Sequence, residues 1–338
     1  METETTTDII YHGQIPCQGI YKSGAKKGEI CKNMAYNLSS DGLYLCGLHS
    51  KNIEISKLPK NPNSKKEKEE LLMSRVIACE EAASKNVEEG YCGMIIVNTM
   101  PWMKAPPYID GYFNVFPNFK HGNRKDGYGC PGLSPKSLGP INHGMPNLPI
   151  AANLENFHQG AKFFPGEVND EGWEKFEGNR NFFGTITPEA LEVRKKMYED
   201  TTPYRHKFEY PLFTGRKPDG NTNIQLFSIH YDQDGKERRY DYISSRYFYC
   251  YWYEKLAKER EEFKILQDLL FQGFNLQILG YDGYPVTQDL WDHYLDPTRP
   301  FGHELVLYTL LAIENPEDYP WNRYYRENNT LYAGVIDV

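Results

Sequence analysis

Four residues near the N-terminus constrain this chain more than any other feature: Cys17, Cys31, Cys46 and His49. In "CGLH" the two-residue gap lets a thiolate and an imidazole point at one ion. Cys17 and Cys31 are further apart, but "CQGIYKSGAKKGEIC" is nearly symmetric about Gly24, with Ile20 and Tyr21 facing Glu29 and Ile30. A hairpin there brings the two thiols together at its open end. Two thiolates from the hairpin and the Cys46/His49 pair then form a closed tetrahedral site. Four protein ligands leave no position for water, which is the pattern of structural rather than catalytic Zn2+. A unit this small cannot bury much core, so a metal would supply what packing does not. The competing reading is four unrelated side chains in a reducing compartment.

The chain has seven cysteines, an odd and scattered set. Its first residues show no basic stretch followed by an apolar one, so a secretory signal is not expected. Thiols or metal ligands in an intracellular setting follow. No apolar run approaches the roughly 20 residues that span a bilayer, so no membrane role is expected. The net charge of −8 opposes non-specific binding to a nucleic-acid backbone.

Residues 1–14 read as a disordered tail and 15–50 as the zinc-binding module. Residues 51–70, rich in Lys, Asn, Pro and Ser, read as a linker, and 71–338 as the main domain. In that domain "KEELLMSRVIACEEAASKNVEE" has helical periodicity up to Gly90, and "YCGMIIVNTM" reads as a buried strand. Residues 121–152 are Gly/Pro-rich and without period, a length of loop that often covers a site. Asn153 is an N-cap for a helix expected to run through Phe164. "NIQLFSIHYD" and "KERRYDYIS" flank a hairpin turn. Residues 245–272 read as the longest helix, "NLQILGYD" as a strand and "HELVLYTLLAI" as an apolar helix. Strands and helices mix without a regular βαβ repeat, so the expected class is α+β.

Two polar clusters carry candidate chemistry. On the helix from Asn153, Glu155, Gln159 and Lys162 follow at i, i+4 and i+7, with His158 beside them. Taken alone, this stripe reads as the wet face of an amphipathic helix. The second cluster, "GYDGYPVTQDLWDHYLDPTRPFGHELVLYTLL", holds Trp291, Asp296, Arg299, Gly302 and His303. Gly302 opens the last apolar helix, and Arg299 just before it suits an anion at a helix N-terminus. Turn chemistry and a simple helix cap explain the same residues equally well.

The N-terminal pattern C…GxxKGxxC…CxxH resembles a small zinc-binding module of large DNA viruses. That resemblance implies a binding or scaffolding role and a protein partner for the module. The body resembles an uncharacterised family of such viruses, on the phrases "LGPINHG", "NLENFHQ", "GYD" and "PFGHELVLYTLL". More distantly it is similar to NADAR-type proteins (ribosylaminopyrimidine N-glycosidase-like). The carrying residues are Glu155, Gln159 and Lys162 of "ENFHQGAK", Arg246 of "SRYFYCYWYEKL", then Trp291, Asp296 and the Gly302 turn, with "FG" where that family has "WG".

The resemblance implies a nucleotide-type small molecule, related to ADP-ribose, and cleavage of an N-ribosyl bond. Such a reaction needs a carboxylate near the anomeric carbon, with Glu155 the first choice and Asp296 the second. It needs a proton for the departing base, from His158 or His303. Lys162 and Arg246 would hold phosphate, and Trp291 would stack on the base. If the protein is viral, the host cytoplasm or the virion is the implied location. The alternative is a non-catalytic assembly or recruitment protein built on the zinc module.

Overall fold

The computed structural model describes residues 10–11, 13–60, 64–102, 104–145, 148–164, 167, 186–203, 225, 227–231 and 237–328. The chain divides into two compact units, Met1–Ser74 and Arg75–Val338.

In the first unit the hairpin expected between Cys17 and Cys31 forms. Ile20 pairs with Ile30 in an antiparallel bridge. Cys31 N–H donates to Gly19 O at 2.8 Å and Cys17 N–H to Asn33 O at 2.7 Å. Gly24 turns the tip at φ +78°, a conformation glycine adopts without strain. Three short strands follow, β1 (Asn37–Ser39), β2 (Tyr44–Leu45) and β3 (Ile55–Lys57), in antiparallel order β2-β1-β3. The expected linker 51–70 is therefore largely structured. Ile55–Lys57 is the third strand, and helix α1 (Ser64–Glu88) begins within it. Its Lys/Glu content suits an exposed helix with i,i+4 pairs as well as it suits a linker. The expected tail 1–14 also ends bonded rather than loose, since Gly13 N–H donates to Ala35 O at 2.9 Å. Residues 1–9 and 12 of that tail lie outside the described residues.

The second unit is mixed α/β, built on a four-stranded sheet of β4 (Ile95–Thr99), β5 (Tyr112–Phe116), β6 (Tyr128–Gly129) and β10 (Asn275–Gly280). Its order is β4-β10-β5-β6, and every pairing is parallel. The expected mix of strands and helices is present, and both expected strands, β4 and β10, are in this sheet. Their parallel pairing is not predicted, for a topological reason: β10 comes from the far end of the chain and inserts between β4 and β5. All six β10 residues are buried, as both faces of a parallel sheet require. Its polar members are satisfied sideways. Gln277 donates to Asn114 Oδ1 at 2.7 Å and accepts from Asn98 Nδ2 at 2.7 Å. This amide ladder ties three strands together where unpaired amides would be costly.

A second sheet joins β7 (Lys162–Phe163), β8 (Phe227–Tyr231) and β9 (Glu237–Tyr240) antiparallel, which is the expected hairpin with one strand added. The connecting turn, 232–236, lies outside the described residues. Around the sheets lie α2 (Leu154–Gly160), α3 (Pro188–Glu199), α4 (Tyr242–Ala257), α5 (Glu261–Phe271), α6 (Leu290–Leu295), α7 (His303–Ala312) and α8 (Pro320–Glu327). Leu305, Val306 and Leu310 of α7 join Val97, Leu276 and Ile278 of the sheet in the main core, with Tyr253 and Leu266. Each such aliphatic side chain contributes about 1.5–3 kcal/mol on burial.

Two expected helices are shorter than their patterns. The helix from Asn153 stops at Gly160, because Lys162 pairs with Ser228 and Ile229 N–H donates to Ala161 O at 2.8 Å. The helix expected over 245–272 is two, α4 and α5, broken before Arg260, whose backbone is extended at φ −83° and ψ 141°. No Gly or Pro marks the break. It lets Arg260 Nη2 donate to Ser137 O at 3.1 Å and pin the Gly/Pro segment.

Candidate functional site

The metal-ligand set of the first unit assembles as its spacing predicts. One ligand atom from each of Cys17, Cys31, Cys46 and His49 lies within 4.8 Å of the others. Cys31 Sγ is 3.8 Å from Cys46 Sγ, and His49 Nδ1 is 3.5 Å from Cys17 Sγ and 3.4 Å from Cys46 Sγ. A Zn2+ tetrahedron with its usual bond lengths has edges of about 3.8 Å between thiolates and about 3.6 Å between thiolate and imidazole. The donor set thus fits zinc in both chemistry and size, and none of the cysteines of the chain is in a disulfide.

The surroundings favour thiolate at Cys46, whereas at Cys17 burial outweighs two backbone donors and holds the thiol up. Cys46 N–H and Gly19 N–H donate to Cys17 Sγ at 3.2 and 3.3 Å. Burial pushes the Cys46 thiol up, but the backbone N–H and ring of His49 outweigh it and bring it down to about 6. Gly19 makes room for the imidazole, since a Cβ there would come within 2.4 Å of His49 Cγ.

In the second unit a cavity of about 640 Å³ opens at the carboxyl edge of the parallel sheet. Parallel strands all end on one side, and the residues that follow each strand form the wall. Trp102 follows β4, Asn118 to His121 follow β5, Tyr281 and Asp282 follow β10, and Ser134 to Lys136 follow β6. The edge is braced: Met100 N–H donates to Gly280 O at 2.7 Å, Thr99 Oγ1 to Gly283 O at 2.6 Å, and Asn118 Nδ2 to Leu279 O at 2.8 Å.

Helix α2 closes another side. Asn153 caps it, accepting from Asn156 N–H at 2.8 Å, and Glu155 N–H donates to Pro135 O at 3.0 Å. The Gly/Pro segment therefore does pack on this helix. Glu155, His158, Gln159 and Lys162 all line the cavity. Glu155, only 6% exposed, accepts from Gln159 Nε2 at 3.1 Å, and Lys162 Nζ reaches Gln159 Oε1 at 3.5 Å. The polar line survives the early end of the helix because Lys162, now the first residue of β7, still faces the same space. The His158 ring packs 4.7 Å from that of Tyr249, another wall residue. Burial, then the nearby Glu155 charge, holds the Tyr249 phenol well above its ordinary value.

The late segment reaches the cavity at Gly302, His303 and Glu304, and α4 reaches it at Arg246. Gly302 caps α7 with no side-chain bond of its own. His303 Nε2 lies 3.1 Å from Pro117 O and Nδ1 lies 3.2 Å from Glu304 Oε2. Both ring nitrogens of His303 thus face neighbouring oxygens at the cavity wall. Arg246 is buried, and its guanidinium donates to the carbonyls of Tyr294 and Asp296. It holds the α6–α7 loop in place, which differs from the expected phosphate contact.

Trp291, Asp296 and Arg299 are not in the lining. Trp291 stacks on Tyr294 at 6.3 Å, under the guanidinium of Arg323. Asp296 accepts from Thr298 N–H and Oγ1 at 2.8 and 2.6 Å, closing a turn. Arg299 lies over the Tyr284 ring at 5.2 Å. These are the turn and packing roles that the sequence equally allowed.

Sequence reasoning missed the other half of the wall. Trp102 is 74% exposed, its ring 5.3 Å from Tyr281, whose hydroxyl is 3.4 Å from His121 Nε2. Lys120 and Lys136 add cations. Each follows a strand end, a signal visible only once the parallel sheet is known.

Comparison of the chain with family models, with curated proteins and with solved structures returned no match. Among the described residues no helix is long and apolar enough to cross a membrane.

Proposed function

We propose that the second unit binds a nucleotide-type small molecule related to ADP-ribose and hydrolyses its N-ribosyl bond, with the first unit held by one structural Zn2+. One observation carries the reading: the "ENFHQGAK" residues Glu155, Gln159 and Lys162 line the same cavity as Gly302 and His303, about 150 positions later in the chain. A NADAR-like body is the finer reading of the fold and rests on the motif order in the sequence.

The cavity volume lies in the range of small-molecule sites, roughly 300–1,000 Å³. Lys120, Lys136 and Lys162 line it and suit phosphate, while Trp102 and Tyr281 offer an aromatic face to a base in place of Trp291. Glu155 is the carboxylate for the anomeric carbon, steered by the Gln159 amide. It takes a proton from attacking water, or supports the oxocarbenium-like sugar, as the C–N electron pair passes to the base nitrogen, which receives a proton from His158 or His303 of the same wall. Asp296 has no part in this step.

Thermal-shift measurement with ADP-ribose and with ribosylated pyrimidines tests the reading. Stabilisation of wild type but not of Glu155→Ala supports it. A panel that stabilises neither protein removes the nucleotide site and leaves the assembly or recruitment role.

A further inference from the structure

The cavity of the second unit has two ends, set by the order of the strands beneath it. In the order β4-β10-β5-β6, Trp102 follows the first strand and Lys136 the last, and both line the wall. Neighbouring strands lie about 4.8 Å apart, so the outer two are separated by roughly 14 Å. Glu155 belongs to the β6 end, where its N–H donates to the carbonyl of Pro135 at 3.0 Å. The carboxylate that acts on the sugar therefore stands across the sheet edge from the ring at the β4 end.

The β4 end offers a flat aromatic surface. Trp102 is 74% exposed, although folding covers most of the average tryptophan. Its ring stands 5.3 Å from that of Tyr281 at an angle of 52°, so the two are not stacked and the indole keeps open surface. Asp282, next in the chain after Tyr281, lines the cavity too. An acidic side chain in the crevice beyond a parallel sheet is a common acceptor for ribose hydroxyls. In strand order the exposed Lys120, after β5, comes between the two ends, and Lys136 comes beyond it. Together they make a line of cations that fits phosphate.

A single nucleoside cannot use both ends. Its base is bonded directly to the anomeric carbon, so a base held on Trp102 leaves that carbon far from Glu155. Resting on the nucleotide-hydrolase reading, we propose that the substrate of this cavity carries two nucleosides joined through phosphates: Trp102 and Tyr281 hold the one that is retained, and Glu155 acts on the ribose of the other. The retained nucleoside is a handle, with Lys120 and Lys136 on the linking phosphates. The C–N bond that breaks is the one at the far end. The oxygen of water bonds to that anomeric carbon, the departing base takes the C–N electron pair and one proton, and water is the only co-reactant. Contacts to the handle lie away from the reacting atoms, so they govern which length of ligand is accepted.

Binding tests this without turnover. ADP, the handle alone, should stabilise full-length wild type in a thermal-shift titration and compete with ADP-ribose. Trp102→Ala should weaken ADP by about 10–100-fold, within the range of one base-stacking contact. The exposed ring makes the variant safe for folding, which its melting temperature without ligand checks. ADP that fails to bind wild type, or that binds Trp102→Ala as tightly, overturns the proposal.

Turnover separates this inference from the reading beneath it. Nicotinamide mononucleotide and nicotinamide adenine dinucleotide share one scissile bond, and only the second carries another nucleoside. Wild type should show a KM about 10–100-fold lower for the dinucleotide, and Trp102→Ala should bring the two values together. Equal values in wild type, or a difference that persists in the variant, overturns the proposal. If a ribosylated pyrimidine stabilises wild type and ADP does not, the nucleotide reading stands and the handle fails. If ADP binds through Trp102 and neither probe is cut, the hydrolase reading fails and the handle stands.

Discussion

Arg246 Nη2 donates to the backbone carbonyl of Asp296 at 2.9 Å, joining the residue expected to hold phosphate to the one expected as second choice for the carboxylate. Arg246 lines the cavity while Asp296 does not, and the two meet through the Asp296 backbone. The planar guanidinium is aimed at carbonyls of the α6–α7 loop, so its donors serve the fold. Arg246→Lys should cost about 3–5 kcal/mol in urea unfolding, because one ammonium cannot fan out to the same acceptors. Asp296→Ala should cost about 1 kcal/mol and leave any ligand response intact.

Glu155→Gln keeps the shape of the α2 wall but removes the charge. If the cavity hydrolyses an N-ribosyl bond, chromatography of released base should show a loss of about 10²–10⁴-fold with ligand binding retained. Equal loss of binding and turnover would recast Glu155 as a binding group.

Metal content offers a separate check. Full-length protein should carry about one zinc per chain, and Cys46→Ser should lose it. Protease should then cut within residues 13–60 faster than in the zinc-loaded protein, while cleavage in the second unit is unchanged, since the two units are separately compact.

Acid should weaken the second unit through His230. Its ring is stacked 3.7 Å from Phe248, and burial first, then His143, holds it well below the ordinary 6.5. A depressed base binds its proton more readily in the unfolded chain. Stability is therefore full above the unfolded value and falls as pH drops below it, by up to about 1.4 kcal/mol per pH unit. Unfolding midpoints measured from neutral to mildly acid pH should fall, and His230→Phe should flatten the slope.

Gly160→Ala sets two effects against each other. Helix propensity alone predicts a gain of about 1 kcal/mol. A Cβ at Gly160, however, would lie 2.6 Å from Cε1 of the fully buried Tyr198. Overpacking of about 1–3 kcal/mol should win, and a lower melting temperature checks the sign.

Much of the local structure was legible. The Asn153 cap, the 17–31 hairpin, the second hairpin and the metal ligands follow from spacing and turn chemistry, which act over a few residues. The early end of α2 was not, because Lys162 is drawn into pairing with Ser228, a partner 66 positions away. Trp291 and Arg299 looked like ligand groups because their residue types suit ligands. Their true partners, Tyr294 and Tyr284, suit packing equally well, and only coordinates choose between them.

By itself the sequence determined the donor set Cys17, Cys31, Cys46 and His49, and the polar line Glu155–Gln159–Lys162. Both are encoded within short segments whose backbone has few alternatives. Tertiary structure alone decided what that line faces. The cavity exists because β10 enters the sheet parallel between β4 and β5 and brings Tyr281, Asp282 and the α7 N-terminus beside Trp102 and Lys120. Parallel pairing of distant strands leaves no local pattern.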